Sequence, residues 1–268
     1  MKREKFGSRL GFILVSAGCA IGIGNVWKFP YMCGEFGGAA FILIYLIFLL
    51  ILGIPVMICE FAVGRGSRLS VAAGFEKLEP AGTRWHVTKW IGVVGCYMLM
   101  MFYTTVGGWM MYYCYRSITG EFEAATSEAV AAGFADMLGN VPVMTFWTVL
   151  ICIVGFAVCY FGIQKGIERV SKIMMSALLL IMVVLAVHSM YLEGAGEGIK
   201  FYLVPDFAGM KEIGIGNVIF GAMSQAFFTL SIGICAMLIF GSYIGRDRSL
   251  SGEAVSITAL DTFVALMA

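Results

Sequence analysis

Gly18-Cys19-Ala20-Ile21-Gly22-Ile23-Gly24-Asn25 interrupts an apolar run from Leu10 to Cys33 that is long enough to cross a bilayer. Three glycines within seven positions each cost roughly 1 kcal/mol against alanine in a helix interior, so the helix is expected to break here. At membrane depth an unwound segment leaves carbonyl and N–H groups that lipid cannot satisfy. Such a break lines a cavity or binds something polar. Glycine as a surface for close helix packing is the alternative, and Asn25 and Lys28 in the same span favour the break. Lys28, near the outer end, either snorkels to the interface or faces a vestibule. Phe29-Pro30 and Glu35-Phe36-Gly37-Gly38 favour the vestibule.

Working outward, the chain of 268 residues is 60% hydrophobic and 13% charged, with a mean hydropathy of +0.90. Soluble domains are about a quarter charged, so the bilayer is the solvent. Further apolar stretches run from Gly38 to Val63, Trp90 to Tyr115, Val141 to Phe161, Ser171 to Tyr191 and Ile213 to Ile244. A seventh begins near Ser251 and is still apolar at Ala268, short of a full crossing, so the chain is expected to be an N-terminal portion of a longer protein. The N-terminal segment is read as retained, since it carries Gly22, Gly24, Asn25 and Lys28 and lacks a convincing cleavage site.

Lys2, Arg3, Lys5 and Arg9, then Arg65, Arg68, Lys77, Arg84 and Lys89, then Lys165, Arg169 and Lys172, then Arg246 and Arg248 fall in alternate connections. Those connections are expected in the cytoplasm, with the N-terminus inside, in a multi-pass protein of the inner (plasma) membrane. The intervening loops carry mainly acids, among them Glu121, Glu128, Glu193 and Asp206. A net charge of +1 offers no basic field for nucleic acid. The eight cysteines lack metal-ligand spacing and read as small core residues. An enzyme would need a base or a metal cluster, whereas His86 and His188 are isolated in sequence.

The sixth span repeats the theme of the first, with Gln225 and Phe228-Thr229-Leu230-Ser231-Ile232-Gly233 in mid-membrane. Interrupted first and sixth spans are what an inverted repeat of five helices places at a shared midplane site. Half-helix N-termini present N–H groups to an anion, and unwound carbonyls suit a cation. Hard cations prefer oxygen ligands, which Asn25, Thr229 and the intramembrane Asp261 supply. Asp261 as a helix-packing carboxylate is the alternative, disfavoured because an unpaired carboxylate is costly in hydrocarbon.

Several stretches resemble the neurotransmitter:sodium symporter family, and specifically its prokaryotic amino-acid branch. They are Arg9-Leu10-Gly11-Phe12, Gly22-Ile23-Gly24-Asn25-Val26-Trp27-Lys28-Phe29-Pro30, Gly53-Ile54-Pro55 through Glu60 to Gly64-Arg65, Phe102-Tyr103 through Gly108-Trp109, Leu203-Val204-Pro205-Asp206-Phe207 and Gln225 to Ser231. The resemblance implies an all-α polytopic membrane protein with the leucine-transporter-like fold: a first repeat over 1–192, an extracytoplasmic loop over 193–212, and the start of a second repeat over 213–268. It implies Na+-coupled symport of an amino acid by alternating access. An ion channel or a non-transporting membrane protein is the alternative.

By the same resemblance, one Na+ is held by the Ala20 carbonyl, Asn25, Thr229 and Asp261, with the substrate carboxylate completing its shell. A second takes the carbonyls of Gly18 and Ile21. The substrate carboxylate meets the N–H groups around Gly22 and Gly24 and the Tyr103 hydroxyl, while Phe228, Ser231, Ile234 and Leu99 border the side-chain pocket. Tyr103 as core packing is the alternative. Lys28 and Phe228 form an outer gate, with lysine where arginine is commoner; Arg3 and Phe6 match the inner gate. Amine-transporting relatives carry an acid at the position of Gly22, so an α-amino acid is favoured. Cys235, where many relatives have glycine, alters the pocket floor, and the fixed charge of Asp261 is expected to make uptake chloride-independent.

Overall fold

The computed structural model describes residues 8–122 and 126–268, all helical or in connections. The first span is two helices, α1 (Arg9–Ala20) and α2 (Phe29–Glu35), joined through a break and a π-helical turn over Gly24–Lys28. Its halves are bent by 51°. The Ser8 hydroxyl caps α1 by accepting from the Gly11 N–H at 2.9 Å. Only Ile21–Ile23 separate α1 from the π turn, so the helix stops inside the glycine cluster, where the sequence placed the break.

The second span is α3 (Ala39–Phe48), a π-helical turn (Leu49–Gly53) and α4 (Ile54–Ser67), followed by the short α5 (Val71–Leu78). The third, α6 (Thr88–Ile118), is preceded by a single 3-10 turn at Trp85–Val87 and is longer than the apolar run Trp90 to Tyr115. After α7 (Ser127–Gly139) come α8 (Val141–Tyr160), a π-helical turn (Ile163–Glu168) and α9 (Arg169–Ser189). The fifth span therefore begins eight residues before Ser171, because the π-helical turn at Ile163–Glu168 runs into α9 without a break. α10 (Ala195–Leu203) and α11 (Phe207–Ile213) precede the sixth span, which is α12 (Ile215–Thr229) and α13 (Ala236–Gly241). α14 (Leu250–Met267) closes the order and, at 18 residues, is long and apolar enough to cross a membrane, against the expectation of an incomplete crossing. Among the described residues five helices meet that test, or six when α1 and α2 count as one bent span.

The chain forms two compact units, Met1–Val93 with Glu168–Ala268, and Val94–Ile167. In the first, α1 packs on α9 and α14, α3 on α12, and α4 on α13, α14 and α5. Phe29, Phe41 and Tyr45 are fully buried there, with ring centroids 5.1–6.4 Å apart. In the second unit, α6 and α8 cross closely at Gly108, where a Cβ would lie 2.9 Å from the Thr148 nitrogen. His86, isolated in sequence, is paired: its Nδ1 lies 2.7 Å from Glu79 Oε2 in the connection after the second span.

Candidate functional site

Two interrupted spans create the site. The break in the sixth span runs through residues 230–235, where Ser231 (φ 51°), Gly233 (φ 86°) and Cys235 (φ 62°) all take left-handed backbone. For serine and cysteine that conformation costs roughly 1–2 kcal/mol each, so neighbouring groups must hold it. The Ser231 hydroxyl donates to the Cys19 carbonyl at 3.0 Å, tying the sixth-span break to the last turn of α1. Glu60, from α4, accepts the Gly233 N–H at 2.7 Å on one oxygen and the Leu238 N–H at 3.2 Å on the other. Gln225 Nε2 donates to the Gly24 carbonyl at 2.9 Å. Backbone groups at and beside the breaks are thus held by side chains from neighbouring spans.

Beside the breaks, Asn25, Thr229 and Asp261 converge, each with no exposed surface. Asn25 Nδ2 donates to Asp261 Oδ1 at 2.9 Å and to its carbonyl at 3.0 Å, and the Thr229 hydroxyl donates to Asp261 Oδ2 at 3.0 Å. Asn25 Oδ1 accepts the Gly22 N–H at 3.3 Å, so the amide spans from the first break to α14. Ala20 and Ile21, both buried, end α1 next to this cluster in sequence, where the last-turn carbonyls lack helical partners. Gly18 lies one turn earlier, against Met175 of α9. Among the described residues no lysine, arginine or histidine pairs with Asp261. A fully buried carboxylate amid amide, hydroxyl and carbonyl oxygens fits a hard monovalent cation, which would supply the missing positive charge.

Gly22 faces open space, since a Cβ there would meet nothing within 4 Å, whereas one on Gly24 would lie 3.1 Å from the Phe228 ring. Lys28 Nζ sits 4.0 Å from the centroid of that ring, a cation–π pair. Ile234 is half-buried within the sixth-span break. Cys235, also in the break, is buried, and its Sγ lies 2.6 Å from where a Cβ on Gly92 would stand. Leu99 and Tyr103 belong to the other compact unit, one turn apart on α6 and half-buried. Arg3 and Phe6 lie outside the described residues.

Glu60 was not among the site residues expected from sequence. An acid in the middle of an apolar span is itself a functional signal, and it could have been read that way. Glu60→Gln leaves one acceptor for two N–H donors. It is expected to cost on the order of 2 kcal/mol, read as a lowered Tm. An unchanged Tm would mean that the two N–H groups have other acceptors.

A membrane bundle with two broken spans around a buried carboxylate defines a secondary-transporter fold, and the comparisons agree. The model of the sodium:neurotransmitter symporter family matches residues 3–132 and 133–268. The chain belongs to that family, whose members are transporters and not enzymes. It is 37% identical over 268 residues to the "Uncharacterized sodium-dependent transporter YhdH" of Bacillus subtilis, with 100% of this chain and 58% of that protein covered. Over 307 residues it is 29% identical to the sodium-dependent serotonin transporter of Drosophila melanogaster, covering 98% of this chain and 47% of that one. The crystal structure of MhsT in complex with L-phenylalanine superposes with a TM-score of 0.88 at 40% identity, covering 99% of this chain and 60% of MhsT. The chain thus has the all-helical, broken-first-helix fold of MhsT and spans about 58–60% of the length of these bacterial relatives.

Proposed function

We propose that this chain forms part of a Na+-coupled symporter of an α-amino acid that works by alternating access. The observation that carries the reading is Asp261: a buried carboxylate hydrogen-bonded by Asn25 and Thr229, with no cationic side chain paired to it among the described residues. In this reading Na+ enters that oxygen cluster together with the Ala20 carbonyl, and the substrate carboxylate completes its shell. Each ligand then needs the other. A second Na+ takes the carbonyls of Gly18 and Ile21.

The open face of Gly22 leaves room for a substrate that brings its own carboxylate, and MhsT, solved with L-phenylalanine, supports an amino acid. Gly22, Gly24 and Tyr103 hold the carboxylate, while Leu99, Phe228, Ser231 and Ile234 border the side chain. Lys28 over Phe228 closes the outer side, and Arg3 with Phe6 the inner. The first repeat covers 1–192, the loop 193–212 is extracytoplasmic, and the second repeat starts at 213. The N-terminus is cytoplasmic.

The test is thermal stabilisation of the full-length protein by a panel of amino acids in sodium and in potassium, since a ligand that binds the native state raises its stability. At about one hundred times the dissociation constant the gain is about 2.7 kcal/mol. Stabilisation that appears only in sodium, and only for one class of side chain, is the expected result. A sodium response with no amino-acid dependence would instead favour an ion channel.

A further inference from the structure

Where α4 ends, a cavity of about 430 Å³ is lined by Ala62, Arg65, Gly66 and Arg246. We propose that it binds the phosphate of an anionic lipid headgroup. Arg65 comes from the last turn of α4, and Arg246 from the connection between α13 and α14. Arg65 Nη1 donates to the Arg248 carbonyl at 2.7 Å, which fixes the guanidinium across the two segments and leaves its other N–H donors for an anion. Among the described residues neither Arg65 nor Arg246 has a carboxylate partner.

Glu253 and Glu60 are engaged elsewhere, and Asp247 turns away toward Gly245. Glu253 accepts from Arg9 Nε at 3.1 Å and from Arg248 Nη1 at 3.4 Å. Glu60 holds the N–H groups of Gly233 and Leu238. Asp247 folds back on its own turn, its Oδ1 only 2.1 Å from where a Cβ on Gly245 would stand. A further cation, Lys77, is drawn to the end of α4 by its 3.0 Å bond to the Ser67 carbonyl. The lining itself holds two arginines and no acid.

Depth selects the source of the phosphate. The apolar helix Ala39–Ser67 ends within two residues of Arg65, so the pocket stands at the level where a span leaves the hydrocarbon and headgroup phosphates begin. Ala62 and Gly66 give it a wall without polar groups or bulk, beside which an acyl chain can run. Paired arginines at this level are suited to a phosphodiester bearing net negative charge. The inference is independent of whether the transporter carries an amino acid.

The test is native mass spectrometry of the full-length protein in detergent, offered phosphatidylglycerol or phosphatidylcholine with the same acyl chains, alongside Tm measurements with inorganic phosphate. Three variants are compared with wild type: Arg246→Gln, Arg246→Lys and, as a control, Arg84→Gln in an exposed loop. Preferential retention of phosphatidylglycerol is expected, reduced about fivefold by Arg246→Gln, largely kept by Arg246→Lys and untouched by Arg84→Gln. Inorganic phosphate that stabilises wild type but not Arg246→Gln, without discrimination between the lipids, would keep the phosphate site and make its source a soluble anion. The site is overturned by equal retention of both lipids with no response to phosphate, by discrimination that survives Arg246→Gln intact, or by equal loss in the Arg84→Gln control.

Discussion

Asp261→Ala is expected to abolish sodium-dependent stabilisation by substrate and to lower the stability of the protein in potassium as well. The second effect comes from the hydrogen bonds. Asn25 and Thr229 both donate to the Asp261 carboxylate in a region without solvent; alanine takes the acceptor of the Thr229 hydroxyl away and leaves the Asn25 amide only the backbone carbonyl of residue 261. Bonds to a charged acceptor contribute about 1.5–3 kcal/mol each, so a loss of about 3–5 kcal/mol is anticipated. Asp261→Asn separates charge from geometry. It keeps an oxygen toward the cluster and removes the negative charge, which across a few ångströms in a partly screened site contributes on the order of 3 kcal/mol, or about a hundredfold in apparent Na+ affinity. Titrating sodium against Tm in the three proteins ranks them directly. A full sodium response in Asp261→Ala would remove Asp261 from the ion site.

Gly64→Ala is expected to be among the most destabilising single methyl additions. A Cβ at Gly64 would stand 2.0 Å from the Leu238 carbonyl oxygen and 2.8 Å from the Ser242 nitrogen. One at Gly241 on the facing helix would stand 2.6 Å from the Phe61 Cα. These neighbours are backbone atoms, so α4 and α13 would have to separate. Overpacking of this kind costs about 3 kcal/mol, and it would also pull Glu60 from the two N–H groups it holds. Gly155→Ala in α8 is the control, because its Cβ would meet nothing within 4 Å. There the gain in helix propensity of up to about 1 kcal/mol should dominate. Equal Tm values for Gly64→Ala and wild type would sink the close-crossing account.

The spans were legible because crossing a bilayer demands some twenty apolar residues in a row, and charge in the connections is not hidden by folding. The first break was legible because Gly18, Gly22 and Gly24 are poor helix residues whatever surrounds them. The π-helical turn at Leu49–Gly53 was not, since Leu-Leu-Ile-Leu-Gly is an ordinary apolar run and its widening depends on what packs against it. The left-handed Ser231 and Cys235 were equally hidden: neither residue type favours that backbone, and contacts from distant spans hold it. The link from Asn25 to Asp261 joins residues 236 apart. Sequence could nominate both as oxygen donors, and only the fold could bring them within 3 Å. The short helices α5, α7, α10 and α11 lie in connections and lack the length that made the spans visible.

The π-helical turn of the second span has a mechanical consequence. It divides α3 from α4 where α12 gives way to α13, for a Cβ on Gly53 would lie 2.8 Å from Leu230 Cδ1, the first residue of the sixth-span break. α12 runs along α3, and α13 along α4. The two spans therefore lie side by side with the widened turn of the one level with the break of the other. A bulkier residue at Gly53 would therefore press on both spans at once, at the one level where each departs from regular α-helix.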